Sequence, residues 1–261
     1  MTSQPNRRTF LKTSTSMLTL AATLGPVQLF GAEKEEKLNI ALIGCGSIMA
    51  GHTNRLVRDQ QNVHVAWLCD VDPAHIEEKA NLLADFQATA PQRTTDYRDV
   101  LKDKNVDAVI IATPHHWHCP MAVEAMAEGK DVYLEKPISH VYDEGHLIKA
   151  AAEKYQRIVQ QGSQMRSSPV TAEAEKLLRE GIIGDIKVAR AWTAELRTVL
   201  KPVPDSEPPA GIDYDMWLGP APERPFNEHR YHLTWRLFRD YGNGEIGDDG
   251  IHDLDMATWG L

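Results

Sequence analysis

The chain has 261 residues, 42% of them hydrophobic, so it can bury a sizeable core in one or two domains. Its 37 acidic residues outnumber 28 basic ones, giving a formal charge of −9, and no stretch is rich in Lys and Arg, which excludes a typical nucleic-acid surface. The three cysteines make no paired framework and are expected to be small buried residues, with a Cys45–Cys69 bridge as the alternative.

Residues 1–32 have the pattern of an export signal. Arg7 and Arg8 precede an uncharged, mostly apolar segment over residues 17–30, which suits a signal peptide and is short for a membrane span. This resembles a twin-arginine leader and predicts a periplasmic or otherwise exported protein carried by the twin-arginine machinery. The cleavage site before Gly31 or Ala32 is poor, so retention as a membrane anchor is left open, as is an amphipathic N-terminal helix.

A nucleotide cradle is predicted where the first buried strand, residues 40–43, ends at Gly44-Cys45-Gly46. Glycines permit a tight turn and close approach of a pyrophosphate, and the helix beginning near Ser47 and Ile48 offers free N–H groups. The third glycine of the usual fingerprint is Met49 here. An ordinary strand-to-helix turn is the alternative.

Asp70 follows the next apolar run, residues 63–69, a little over ~20 residues beyond the glycines, where a ribose-binding carboxylate is expected. Such a carboxylate accepts hydrogen bonds from the ribose hydroxyls and repels a 2′-phosphate, so NAD is favoured over NADP. Asp70 could instead cap the following helix, but Asp72 suits that role better because it directly precedes Pro73.

Strands and helices then alternate along the chain. Helices are predicted over residues 73–86, 97–101, 121–128 and 144–155, and strands over residues 94–97, 106–113, 131–135 and 157–161. The alternation predicts an α/β fold, with a Rossmann-type doubly wound parallel sheet over residues 33–161.

Residues 162–261 are predicted to form a partial α+β substrate domain. A helix over residues 170–180, a strand over 186–196 and a final helix from 248 to 261 are expected, with a proline-rich loop and an aromatic stretch between them. Because one strand cannot form a stable sheet alone, this domain is expected to be incomplete in the chain.

Lys136 stands in Glu135-Lys136-Pro137, at the end of a predicted strand. Strand ends in open parallel sheets face the ligand crevice, where an ammonium can bind a substrate hydroxyl or a developing alkoxide. A surface lysine paired with Glu135 is the alternative.

These motifs, in this order, resemble the Gfo/Idh/MocA oxidoreductase family, exported branch. The resemblance rests on Gly44-Cys45-Gly46, Asp70, the run from Ala112 through Thr113, Pro114 and His118, Glu135-Lys136-Pro137, and the segment from Gly247 to Asp255. It implies that Lys136 is the catalytic lysine and that Asp248 and His252, one helical turn apart, face the same cleft, with His252 as general base. It also implies that Thr113, Pro114, His118 and Glu135 contact the cofactor. A helix-capping Asp248 and a packed His252 are the alternative.

No metal site is expected. His115, His116 and His118 lie on one turn, where adjacent side chains diverge, and no Cys or carboxylate completes the set. Trp192, Trp217, Trp235 and Tyr231 could form either a sugar-stacking platform or core.

The predicted function is an NAD(P)-dependent oxidoreductase that transfers hydride between nicotinamide and a sugar or polyol carbon. The alternatives are an NAD-dependent glycoside hydrolase acting by transient oxidation and elimination, or an inactive sugar-binding fragment. A small-molecule partner is expected, and a homo-oligomer is left open.

Overall fold

A sheet of six parallel strands forms the centre of this computed structural model, which describes residues 37–59, 62–193 and 199–261. The predictions for residues 1–32 lie outside the described residues. The strands are β1 (Leu38–Ile43), β2 (Val63–Cys69), β3 (Gln92–Thr94), β4 (Ala108–Ile111), β5 (Asp131–Leu134) and β6 (Val159–Gln161). Their order, β3-β2-β1-β4-β5-β6, is that of a doubly wound sheet, as predicted.

Helices cover both faces of the sheet. They are α1 (Ser47–Asp59), α2 (Pro73–Ala84), α3 (Tyr97–Lys102), α4 (His118–Ala127) and α5 (Tyr142–Tyr155), followed by α6 (Pro169–Arg179), α7 (Tyr214–Leu218) and α8 (Ile251–Trp259). Strand β1 shows why two layers are needed. Its side chains alternate, so Ile40 and Leu42 join one buried cluster while Ala41 and Ile43 join the other.

The carboxyl ends of β1 and β4 create a crevice. The chain runs from β1 outward to β3 and then crosses to β4 and outward to β6, so consecutive crossovers leave these two neighbouring strands in opposite directions. Ligands of open α/β sheets bind at such a switch point. The residues that follow β1, β2 and β4 therefore meet at one edge.

Two strand predictions were wrong. The short strand expected at residues 94–97 is Gln92–Thr94, because Asp96 caps the next helix by accepting a hydrogen bond from the Arg98 N–H and ends the extended segment. Residues 186–193 of the strand expected at 186–196 are not a strand, and residues 194–196 lie outside the described residues. In the described part of the chain no strand lies beside that segment to complete a ladder.

The last predicted helix is interrupted at its start. A single π turn, Ile246–Gly250, precedes α8, so Asp248 lies on the wide turn and His252 on the regular helix. Such turns often occur at functional sites. None of the helices within the described ranges is long and apolar enough to cross a membrane.

Candidate active site

A cleft of about 380 Å³ opens at the carboxyl edge of the sheet. This volume lies in the range of small-molecule sites. Seven of the residues predicted to bind the cofactor line it: Gly44, Gly46, Ser47, Ile48, Asp70, Thr113 and Pro114. The opposite wall comes from the later part of the chain and consists mainly of Met216, Trp217, Tyr231, His232, Leu233, Trp235 and Arg236. The cleft is thus shared between the sheet and the segment around Tyr231.

Gly44 is required at the first position of the turn. Its φ is +83°, and a Cβ there would lie 2.7 Å from the backbone carbon and oxygen of Ala112. A larger residue would therefore clash with the segment that follows β4. The turn brings the backbone of β1 and β4 together and leaves the cleft open above it, so the residues fit a dinucleotide pyrophosphate.

The Asp70 carboxylate lies directly beside this turn. One oxygen accepts a hydrogen bond from the Cys45 N–H at 2.6 Å, and the other accepts one from the Asp72 N–H at 2.9 Å. Asp72 in turn caps α2 by accepting from the Ala74 N–H, as predicted. Asp70 is thereby held at the edge of the cleft in the position expected for a ribose-binding carboxylate.

Cys45 and Cys69 are free buried thiols. Burial, reinforced by the nearby Asp70 carboxylate, raises the pKa of the Cys45 thiol. The two cysteines therefore act as small packed residues, as expected, and the alternative of a bridge between them is not realised.

Thr113 and Pro114 line the cleft above β4, whereas His118 lies beneath it. The Thr113 hydroxyl oxygen is buried and has no hydrogen-bond partner among the described residues, which marks a place where a ligand atom can bind. His118 is completely buried, with one ring nitrogen 2.7 Å from the Pro137 carbonyl oxygen and the other 2.9 Å from that of Thr113. The ring positions these two backbone segments, and the expected cofactor contact of His118 stays a prediction.

The neighbouring histidines hold the later part of the chain against the sheet. His115 Nδ1 lies 2.8 Å from Asn243 Oδ1, and the His116 ring lies between the carbonyl oxygens of Tyr241 and Trp217 at 3.4 and 3.0 Å. Burial lowers the pKa of His115 to about 2 and that of His116 to about 4, so both rings are neutral at physiological pH. These side chains are structural.

Lys136 meets Asp248 at the end of β5. Its Nζ donates hydrogen bonds to the Asp248 backbone carbonyl and to Asp248 Oδ1, the latter at 3.1 Å. The Arg236 Nε donates to the same carboxylate oxygen at 3.0 Å, and the Arg236 guanidinium lies over the Trp235 ring. All three charged side chains are largely buried. Arg236 lines the cleft, and Asp248 contacts Arg236. The cluster is therefore connected to the cleft through Arg236.

Glu135 faces away from the cleft. Its Oε1 lies 2.7 Å from His52 Nε2, and its Oε2 accepts the Lys136 N–H at 3.0 Å. Burial acts to raise the pKa of Glu135, but the His52 and Lys136 contacts outweigh it and hold the pKa below its usual value. The expected cofactor contact of Glu135 stays a prediction. Its carboxylate fixes the backbone of the lysine that follows it.

His252 lies one turn beyond Asp248, at the start of α8. Its Nε2 is 3.5 Å from Gln164 Nε2, so the ring lies near the turn Gln164–Ser167 that follows β6. The ring is only partly buried. The structure thus brings Lys136 and Asp248 into contact, and His252 follows Asp248 by four residues along the chain.

The aromatic stretch is mostly core. Trp217, Tyr231 and Trp235 are buried in one cluster with Phe226 and Tyr241, while Trp192 is 76% exposed. Because Trp217, Tyr231 and Trp235 also line the cleft, they combine packing with a possible stacking surface. A four-membered sugar platform that includes Trp192 is not formed.

Sequence reasoning missed three residues: His75, His232 and Arg236. Each reaches the cleft or the charged cluster only through tertiary contacts. Arg236 precedes Asp248 by twelve positions without a recognisable spacing, so no local pattern pointed to it.

Family models match most of the described chain. The oxidoreductase family, NAD-binding Rossmann fold, of the Gfo/Idh/MocA group matches residues 38–163, and the C-terminal α/β domain of the same group matches residues 176–261. The NAD cofactor expected from the glycine turn and Asp70 agrees with this finding. The exact domain boundary at residue 161 stays a prediction.

A glycosyl hydrolase family 109 protein of Shewanella pealeana is 28% identical over 220 residues, which cover 76% of this chain and 48% of the relative. The chain thus spans about half the length of that curated relative.

Solved structures of inositol dehydrogenases are also similar to this chain. The myo-inositol 2-dehydrogenase of Lactobacillus plantarum is 28% identical, with a TM-score of 0.53 over 58% of this chain and 43% of that one. The apo scyllo-inositol dehydrogenase of Lactobacillus casei is 20% identical, with a TM-score of 0.63 over 87% of this chain and 55% of that one, and shares the fold. With both domain models matched in order, the chain belongs to the Gfo/Idh/MocA oxidoreductase family, as its motifs indicated.

Proposed function

We propose that this chain belongs to an NAD-dependent oxidoreductase that acts on a hydroxyl-bearing carbon of a sugar or polyol. The observation that carries the proposal is the charged cluster of Lys136, Asp248 and Arg236 beside a cleft that fits a dinucleotide. The inositol dehydrogenase that is 28% identical supports a polyhydroxylated substrate. When bound, NAD would supply the hydride acceptor or donor.

Lys136 is the group best placed to steady the reacting oxygen. Its ammonium is oriented by two oxygens of Asp248, and a third N–H remains available for a substrate hydroxyl. Such a donor stabilises negative charge that develops on the oxygen during proton loss. Arg236 shares the Asp248 carboxylate and so prevents that carboxylate from fully neutralising the lysine.

His252 is the proposed general base. An imidazole can accept the hydroxyl proton near neutral pH and pass it to water, and the exposure of this ring provides a path for the proton. It lies just after the π turn that carries Asp248, the partner of Lys136. Substrate would lie between the two side chains.

A lysine substitution tests the proposal. We expect Lys136→Met to lower kcat about 10²–10⁴-fold in an assay that follows NADH formation with a panel of inositols and hexoses, since the donor to the reacting oxygen is lost. Lys149→Met, on the exposed side of α5, should leave the rate unchanged. Wild-type protein that binds NAD but oxidises none of the panel, or a Lys136→Met variant with full activity, would contradict it.

A second candidate is NAD-dependent glycoside cleavage, favoured by the similarity to glycosyl hydrolase family 109 proteins. In this case NAD would oxidise the sugar transiently, elimination would release the aglycone, water would add to the resulting double bond, and the hydride would return to the ketone, so no net NADH would appear. Release of nitrophenol from nitrophenyl glycosides without net formation of NADH distinguishes this reaction from the dehydrogenase reaction.

Export by the twin-arginine pathway is also proposed, on the basis of Arg7 and Arg8. A protein exported after folding could carry its cofactor with it, which suits redox-neutral chemistry. Replacing both arginines by lysine should retain the protein in the cytoplasm, and fractionation measures this directly.

A further inference from the structure

A cluster of metal-binding side chains lies at the mouth of the cleft, apart from the charged cluster. Asp72, His75 and His232 each place one ligand atom within 4.8 Å of the others. Asp72 and His75 come from the first turn of α2, whereas His232 comes from the segment between the turns Glu228–Arg230 and Thr234–Leu237. The three side chains therefore join the two walls of the cleft.

We propose that these three residues form a site for a divalent transition-metal ion, with zinc as its best match. Two imidazoles and one carboxylate are a typical zinc donor set, whereas calcium and magnesium prefer oxygen ligands alone. A fourth position is left for water or a ligand.

One separation within the cluster matches metal coordination better than a direct hydrogen bond. His232 Nε2 lies 3.4 Å from Asp72 Oδ2, and all three ligand atoms lie within 4.8 Å of one another. Ordinary N–H···O bonds are shorter, at about 2.7–3.2 Å. Ligand atoms bound to a tetrahedral zinc at about 2.0–2.2 Å lie roughly 3.3–3.6 Å from one another.

The two imidazoles are already arranged side by side. Their ring centroids are 4.9 Å apart, and His232 adopts a left-handed backbone with φ of 48°, which turns its side chain toward α2. The His232 side chain is about half exposed, so it can move the short distance needed to complete the geometry. Asp72 is fixed by its capping bond to Ala74, which leaves Oδ2 for the metal.

A phenol beside the cluster also lacks a partner. The Tyr231 hydroxyl is buried and has no hydrogen-bond partner among the described residues. A metal-bound water at the open position would give this hydroxyl an acceptor. The proposed ion would thereby stabilise the segment that covers the cleft.

Zinc binding by the metal-free, tag-free full chain tests the proposal. Titration against a chromophoric chelator should give one tight zinc ion per chain, with affinity at least about tenfold weaker in His75→Ala and His232→Ala, since even outer-shell changes cost that much. His146→Ala, an exposed histidine on α5, is the matched control and should bind as the wild type does. Circular dichroism and thermal melts verify that each variant folds.

Cobalt provides a second readout. Bound Co²⁺ in a tetrahedral N₂O site should show strong visible absorption that both variants lose and the His146→Ala control keeps. Wild-type protein that binds no zinc, or two variants that bind zinc as tightly as the wild type, would overturn the proposal and leave the cluster as ordinary polar packing.

Discussion

Residues 38–161 and residues 164–261 differ in how their apolar side chains are covered. In the first region every strand has a neighbour, and two buried clusters fill the faces of the sheet. In the described part of the second region the buried apolar residues form one mainly aromatic cluster, α6 has no buried residue, and Ile182, Ile183 and Trp192 are mostly exposed.

The difference shows that the second region is ordered by contact with the first. Its aromatic cluster is attached to the sheet through His116 and Trp117, whose ring nitrogens lie within hydrogen-bonding distance of the Trp217 carbonyl oxygen. The cleft wall formed by Tyr231, Trp235 and Arg236 depends on this attachment. Substitutions in each region and at their junction can test this account.

The largest expected effect is from Trp217→Ala. The side chain is buried among His116, Tyr214, Tyr231 and Tyr241, so its loss should lower the free energy of unfolding by about 3–5 kcal/mol. Trp192→Ala removes an exposed ring from the same region and should change the free energy of unfolding by less than about 0.5 kcal/mol. Equal effects in urea unfolding would show that the aromatic cluster does not order this region.

Gly44→Ala should have the next largest effect. The added Cβ meets Ala112 at 2.7 Å on a backbone with φ of +83°, so a loss of about 1–3 kcal/mol is expected, together with weaker NAD binding. Gly51→Ala is the matched control in the middle of α1, where a Cβ meets nothing within 4 Å, and should stabilise by about 0.5–1 kcal/mol. Thermal melts and NAD titrations measure both. A Gly44→Ala variant with the stability and NAD affinity of the wild type would contradict the tight turn.

The buried His116, at the contact between the two regions, predicts that the free energy of unfolding depends on pH. Burial holds the pKa of His116 at about 4, below the unfolded value near 6.5, so below pH 6.5 the unfolded state binds more protons. This part of the stability is therefore present at neutral pH and is lost as pH falls from 6.5 toward 4, by about 2 kcal/mol at pH 5.

His116→Gln isolates the contribution of this residue. The variant should be less stable at pH 7 but should lose about 2 kcal/mol less than the wild type between pH 7 and pH 5. Urea unfolding at a series of pH values gives the comparison. Parallel pH profiles for the two proteins would mean that His116 is not held neutral at the junction.

The first region could be read from the sequence because its signals are local. A buried strand, a glycine turn and a following acid are contiguous patterns, and they fix where Gly44 and Asp70 lie relative to the sheet. Lys136 was located because a strand end must face the crevice. His118 and Glu135 follow the expected motifs but are buried against the protein, which the motifs alone do not specify.

The second region could not be read in this way. Its elements are short turns whose positions depend on packing against the sheet, and the segment predicted as a strand has no neighbour to pair with in the described part. Arg236, His75 and His232 become functional candidates only once distant segments are brought together.

Titration of the purified chain with NAD tests the central claim most directly. Binding at the glycine turn beside buried tryptophans predicts saturable quenching of intrinsic fluorescence with one NAD per chain, NADP at least about tenfold weaker, and a marked loss of affinity in Gly44→Ala. Absence of NAD binding, or wild-type affinity in Gly44→Ala, would contradict the account.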